Sequence, residues 1–248
     1  MLQDNIADID HHETEHTTSY VDESYLNSKF TNDKFHFNSL SLNIRSLNKK
    51  KTALEKLLSN SDIDVLCLQE IWRPACSTSL ETFNYKNIMK RSNKTGGGLA
   101  IFSKQEFTII ECSLSPLLEV QIIQISLPHY KTMTICNCYI PPTAPKQESL
   151  DLLLSKIQNL DEGSNLLIMG DINVDYIKSP ELIDTFALQL GCLVNINAPT
   201  RISKKSATCI DQIFSKALDG SAYIIKSDLS DHYSVLFQMK LKTKNAEN

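Results

Sequence analysis

One purely apolar stretch that closes on polar chemistry is Leu166-Leu-Ile-Met169, four hydrophobic residues with no helical period. Such a run predicts a strand covered on both faces. It stops at Gly170, and Asp171, Ile172 and Asn173 come next. Side chains two apart on a strand share a face, so this carboxylate and carboxamide can be delivered to one point. An Asp/Asn turn closing a strand would use the same residues with no chemistry at all.

The same patterning divides the rest of the chain. Phe35, Phe37, Leu40 and Leu42 predict a strand that ends in Asn43-Ile-Arg45-Ser46. Leu47, Leu54, Leu57 and Leu58 mark one face of the next helix, with Ser46 placed to cap it. Lys49, Lys50 and Lys51 lie on its polar side, either as a solvated face or as contacts to a phosphate backbone. Ile63–Gln69 is a second buried strand, ending in Glu70-Ile-Trp72. Gly96, Gly97 and Gly98 make a tight lead into a strand at Leu99–Phe102. Phe107–Glu111, Val120–Leu127 and Thr132–Tyr139 predict three more, the last halted by Pro141 and Pro142.

Leu150, Leu153, Leu154, Ile157 and Leu160 form a helical stripe before the central strand. Ser179-Pro180-Glu181 opens another helix, and Gly191 stops it. Thr208–Phe214, Tyr223–Ile225 and Tyr233–Leu241 read as further strands. The layout is that of an α/β protein with one domain over residues 35–242 and polar groups collected at strand ends. Residues 1–34 are polar and aperiodic and are expected to be a disordered leader; 243–248 form a polar tail.

Composition narrows the class. A chain of 248 residues, 42% hydrophobic and 22% charged, can bury a sizeable core. No apolar stretch approaches the ~18 residues a membrane span needs, and no signal-peptide pattern opens the chain. The chain is therefore expected to be soluble and intracellular, in nucleus or cytoplasm, with no membrane partner and no partner protein. Seven cysteines without zinc-type spacing fit a reduced interior. The net charge of −4 is uneven, because residues 1–34 hold eight of the 29 acids and only two of the 25 basic residues. The remainder is slightly basic, which permits a nucleic-acid face without requiring one. His11, His12 and His16 lack companion ligands at metal-site spacing.

Asn43, Glu70, Tyr139, Asp171 with Asn173, and Asp211 each follow or close a predicted strand, and Asp231-His232 opens the last one. Acid, amide, phenol and imidazole at strand ends can converge. Carboxylates without cysteine ligands favour a hard cation such as Mg²⁺, with Mn²⁺ as a substitute. A histidine among acids suits proton transfer or charge stabilisation near neutral pH. The inventory fits phosphate-ester hydrolysis.

In that order, Leu-Asn43-Ile-Arg45-Ser, Leu-Gln-Glu70, Tyr139-Ile-Pro-Pro, Gly-Asp171-Ile-Asn173, Thr208-Cys-Ile-Asp211-Gln-Ile and Ser-Asp231-His232 resemble the motifs of the endonuclease/exonuclease/phosphatase superfamily. Glu70-Ile-Trp, the triple glycine and Pro-Thr200-Arg201 look most like the apurinic-type endonuclease domain of non-LTR retrotransposons. The resemblance implies a four-layer α/β sandwich of two mixed sheets flanked by helices. It implies Glu70 as principal Mg²⁺ ligand, with Asn43 and Asp231 completing the metal region. Asp171 would orient or deprotonate the attacking water, and Asn173 and Tyr139 would hold the phosphate. His232 would contact the scissile phosphate, oriented by Asp211. Thr200, Arg45, Arg201 and Thr208 are the expected substrate-binding residues.

The implied activity is a Mg²⁺-dependent DNA endonuclease leaving a 3′-hydroxyl. Its alternatives are a phosphodiesterase or phosphatase of the same fold acting on RNA, a nucleotide or a lipid headgroup, and an inactive remnant serving as a binding module. Trp72 stands where abasic-site repair enzymes carry lysine, which disfavours that repair. The sequence around Asp171 and Asp211 also departs from the inositol phosphatase blocks. With no reverse transcriptase after Asn248, the expectation is a separated domain, a gene remnant or a host-adopted copy.

Overall fold

Strand alternation decides where each side chain goes. In the computed structural model, which describes residues 18–29, 36–59, 61–72, 78–91, 96–127, 132–158, 160 and 165–241, the chain opens with β1 (Ser19–Asp22), α1 (Glu23–Lys29) and β2 (His36–Asn43). Then come α2 (Leu47–Leu58), β3 (Val65–Gln69), β4 (Tyr85–Met89), β5 (Leu99–Ser103) and β6 (Thr108–Leu114). β7 (Glu119–Ile125), β8 (Met133–Tyr139), α3 (Lys146–Gln158), β9 (Asn165–Asp171) and α4 (Pro180–Leu190) follow. Short strands β10 (Leu193–Val194), β11 (Arg201–Ile202) and β12 (Ala207–Thr208) precede β13 (Asp211–Lys216), β14 (Gly220–Lys226) and β15 (Ser234–Lys240).

One seven-stranded sheet runs β1-β14-β15-β2-β3-β5-β4, and a six-stranded sheet runs β10-β13-β9-β8-β7-β6. Both are mixed: β2 pairs β3 in parallel, and β8 pairs β9 in parallel, amid antiparallel neighbours. The two sheets pack face to face through Phe37, Val65, Cys67, Leu167, Met169, Ile213 and Val235. On the outer face of the first sheet, Leu47, Leu54, Leu57 and Leu58 of α2 cover Leu40, Leu42, Leu66 and Leu68. On the other, α3 and α4 cover Cys136, Leu166, Ile168 and Phe214. This is the four-layer sandwich the resemblance implied. No helix among the described residues is long and apolar enough to cross a membrane.

Alternation in β2, β3, β8, β9 and β13 sends one set of residues outward to the helices. The other set faces the opposite sheet, and the inward set ends in Asn43, Gln69, Tyr139, Asp171 and Asp211. Register keeps them level: Tyr139 is opposite Asp171 across β8–β9, and Asp171 is opposite Asp211 across β9–β13.

Several expectations change. The central strand does not stop at Gly170 but runs on to Asp171. Gly170 has φ +154°, and a Cβ there would lie 1.9 Å from the Cys138 carbonyl oxygen, so glycine is needed for strand contact rather than for a stop. Ser46 makes no side-chain cap to α2. Arg45 and Ser46 take positive φ instead, so that the Ser46 and Leu47 amides donate to the carbonyls of Glu70 and Ile71. Thr208 and Asp211 belong to separate strands, β12 and β13.

Part of the segment expected to be a disordered leader is folded. β1 lies at the edge of the first sheet, parallel to β14, and Leu26 of α1 is fully buried in the cluster beneath α2. A short polar edge strand next to a seven-residue helix has too little apolar content to reveal itself by period. The histidines at 11, 12 and 16 and the tail at 243–248 lie outside the described residues.

Candidate active site

Asp171 stands at the end of β9 and is 1% exposed. Its Oδ2 accepts from Asn43 Nδ2 at 2.8 Å, and its Oδ1 accepts from the Asn173 amide at 3.0 Å. Burial and the neighbouring Asp211 charge push its carboxyl up, to about 7. Asn173 reaches the site by a left-handed turn (φ 48°), not by strand alternation. Its Nδ2 donates to the Ile140 carbonyl at 2.9 Å, which fixes the amide on the rim beside Asp171.

Asp211 begins β13, and both of its oxygens lie within 3.0 Å of His232 Nδ1. His232 is 2% exposed. Burial alone would lower its pKa, but the charge and hydrogen bond of Asp211, with Asp171 and Asp231 beyond, raise it to about 9. The imidazole is therefore protonated at neutral pH, with Nε2–H as the nitrogen free to act. Thr200 is fully buried, and its hydroxyl donates to Asp211 Oδ2 at 2.6 Å while accepting the Asp211 amide at 3.1 Å. Its hydroxyl is thus committed to Asp211, not to the substrate contact expected of it.

Glu70 lies one residue past β3, turned by a left-handed φ of 50°. Asn43 Nδ2 donates to its Oε1 at 2.9 Å, Tyr139 to the same oxygen at 3.3 Å, and Trp72 Nε1 to its Oε2 at 3.2 Å. Burial, and then the charges of Glu70 and Asp171, push the Tyr139 phenol up, so it acts as a neutral donor. Alternation cannot produce the Glu70 turn; the triple glycine does. All three glycines have positive φ, and the Gly98 and Gly97 carbonyls accept the Ile71 and Trp72 amides. That loop is tied in turn to Glu119, which strand patterning alone did not mark as part of the site. Glu119 is fully buried, accepts the Gly98 amide at 2.6 Å, and pairs with Arg91. The available signal was an acid directly before the Val120–Leu127 run; its place opposite Tyr139 is visible only in the fold.

Two groups could hold a cation. Ligand atoms of Asp171, Asp211 and His232 lie within 4.8 Å of one another. The Asp211 oxygens are spent, however, on His232 Nδ1 and the Thr200 hydroxyl. The Asn43–Glu70 pair fits a hard divalent ion better. Asn43 Oδ1 is buried with no hydrogen-bond partner, an orphaned acceptor beside a half-buried carboxylate.

Asp231, expected in the metal region, is instead paired through Oδ2 with Arg45 at 2.8 Å and Arg201 at 3.0 Å. Arg45 and Arg201, expected on substrate, therefore meet over this carboxylate, and each keeps a side chain 41% exposed. Thr208 pairs with Arg201 through the backbone and accepts the Thr200 amide at 2.9 Å. It supports the 200–201 turn.

Comparison with known proteins identifies the fold. The Endonuclease/Exonuclease/phosphatase family matches residues 40–232. No curated protein matches the sequence. Among solved structures, the endonuclease domain of TRAS1, a telomere-specific non-LTR retrotransposon, superposes with a TM-score of 0.62 at 15% identity, covering 84% of this chain and 100% of that one. Truncated Caenorhabditis elegans TDP2 gives 0.63 at 17% identity, covering 83% and 98%. The human Nocturnin catalytic domain gives 0.63 at 15%, covering 84% and 94%. These likenesses are equally strong and show the shared fold, so they do not single out the retrotransposon enzymes. With residues 40–232 matched and the four-layer sandwich in place, the chain belongs to the endonuclease/exonuclease/phosphatase family.

Proposed function

We propose that the protein is a divalent-metal-dependent phosphodiesterase that nicks DNA and leaves a 3′-hydroxyl, and that it derives from a retrotransposon endonuclease. Members of its family hydrolyse phosphodiester bonds with divalent metals. The observation that carries the reading is the convergence of Asp171, a protonated His232 held by Asp211, and the Asn43–Glu70 pair on one end of the sandwich.

Asp171 is suited to take a proton from the attacking water, because its carboxyl titrates near neutral pH. His232 Nε2–H donates to the phosphoryl oxygen that gains charge, while Asp211 keeps the ring oriented and cationic. Asn173 supplies a neutral donor at the rim, and the Tyr139 hydroxyl, donating to Glu70, holds that carboxylate in place. A divalent cation on Glu70 and Asn43 Oδ1, Mg²⁺ or Mn²⁺, would offset the charge that builds on phosphate. Asp231, tied to its arginines, carries their guanidinium groups to the mouth of the site, where they can meet flanking phosphates.

Nucleic acid is favoured over a small diester by the surface next to the site. An open cleft of about 860 Å³ runs beside Tyr233, the residue after His232. Lys49, Lys50 and Lys56 of α2 line it, with Lys226, against Asp22, Glu23 and Asp228. Lys49 stacks over the Trp72 ring at 5.9 Å, and Trp72 touches Glu70, so the lysine side is continuous with the site. The polar side of α2 thus favours the phosphate-contact reading of those lysines.

The test is hydrolysis of bis(p-nitrophenyl) phosphate, a DNA oligonucleotide and an RNA of the same sequence, in Mg²⁺, Mn²⁺ and EDTA. The reading expects metal-dependent cleavage of the simple diester and preference for the DNA. Cleavage of RNA alone would overturn the substrate, and no cleavage of any diester by folded protein would overturn the activity.

A further inference from the structure

We propose that β1, with Thr18 directly before it, is a strap that positions the Asp211–His232 pair, Thr18 and Tyr20 being the positioning residues; the inference rests on the catalytic reading above. β1 precedes residues 40–232, the stretch that the family model matches.

The strap acts on the segment between β10 and β11, which has no strand ladder of its own. Thr18 is buried, and its hydroxyl shares one proton between the Asn195 carbonyl at 2.9 Å and Asn197 Oδ1 at 2.8 Å. The Thr18 amide donates to Asn197 Oδ1 at 3.0 Å, and the Asn197 amide donates back to the Thr18 hydroxyl at 3.1 Å. Two residues on, the Tyr20 hydroxyl donates to the Pro199 carbonyl at 2.8 Å. These bonds link positions 177 to 179 residues apart and grip the backbone at 195, 197 and 199. β1 is itself fixed by its pairing with β14, Ser19 to Asp22 against Tyr223 to Lys226.

The catalytic support begins immediately after Pro199. Thr200 holds Asp211 by its hydroxyl, and its carbonyl accepts the Tyr233 amide at 2.7 Å. Arg201 bridges to the His232 backbone and ion-pairs with Asp231. One turn, 199–201, therefore sets the acid and the imidazole together, and Thr18 and Tyr20 hold the chain that leads into it. A shift of the turn by a fraction of an ångström would move Asp211 relative to His232, the kind of displacement to which oriented pairs are most sensitive.

The test compares Thr18→Val, which deletes the hydroxyl, Thr18→Ser, which keeps it, Tyr20→Phe, and the Thr18→Val/Tyr20→Phe pair. Two readouts are used: kcat and KM on bis(p-nitrophenyl) phosphate, and the low-field proton resonance of His232 Nδ1–H. The expected result is a fall in kcat of about 10-fold in the double variant with KM unchanged, a shifted or broadened His232 resonance, and wild-type behaviour of Thr18→Ser. Tyr20→Phe keeps the ring that packs against Lys226, so it retains the fold should the double variant unfold. A His232 resonance and kcat identical to wild type, with only the melting temperature lowered, would overturn the strap. The resonance decides the matter even if no diester is hydrolysed, a result that would count against the catalytic reading alone.

Discussion

His232 and Asp171 both bind protons more tightly in the folded chain than in the unfolded one. His232 rises from 6.5 to about 9, so its contribution is full below pH 6.5 and is lost as pH climbs through 9. Asp171 rises from 3.8 to about 7, so its ionisation costs stability across that interval. The two shifts have the same sign. Urea unfolding of the metal-free protein is expected to show stability falling from pH 5 to pH 9, with His232 alone contributing about 3 kcal/mol. His232→Asn should flatten the upper half of the curve, and stability that rises over this range would contradict the charge states assigned. At the same pair, Asp211→Asn is expected to lower kcat by roughly 10²–10⁴-fold with little change in KM, because the ring loses both its orientation and the charge that keeps it protonated. Steady-state kinetics on a simple diester checks it.

At the scale of elements, β8 and β9 approach so closely at Gly170 that no side chain fits. Gly170→Ala would place a methyl 1.9 Å from the Cys138 carbonyl, and a shift of either strand would also move Asp171 and Tyr139. A loss of more than about 4 kcal/mol, or failure to fold, is expected in denaturant titration. This element was legible in sequence. Unbroken apolar runs marked β3 and β9, and the polar groups at strand ends singled out Asn43, Tyr139, Asp171 and Asp211 as able to converge. What period could not give was any residue set by a turn. Glu70 and Asn173 occupy left-handed positions, and the Glu70 turn is held by the carbonyls of Gly97 and Gly98, distant in sequence. Thr200 could be placed near the site from its motif, yet its partner, Asp211, is visible only in the fold. β1 escaped because four half-exposed residues on a sheet edge carry no apolar signal. Sequence presents the two arginines as free cations, whereas in the fold Asp231 gathers both.

On the scale of the whole molecule, the site sits where two sheets end together, and the lysine side of α2 leads away from it. If that side carries substrate backbone, Lys49→Gln and Lys56→Gln should each weaken oligonucleotide binding and reduce the slope of log K against log salt by roughly one. Neither should alter hydrolysis of a simple diester, and fluorescence anisotropy across a salt series checks the first part. An unchanged salt slope would move the nucleic-acid track elsewhere on the surface.

One end of the sandwich, on this reading, cuts a phosphodiester strand with the help of a divalent ion. The most direct measurement is nicking of supercoiled plasmid by the full chain in Mg²⁺, in EDTA, and by Glu70→Ala and His232→Ala in Mg²⁺. Conversion to open circle in Mg²⁺ alone, lost in both variants, with nicks that a polymerase can extend from a 3′-hydroxyl, is the expected result. Nicking that persists in EDTA, or that both variants retain, would contradict the proposed mechanism.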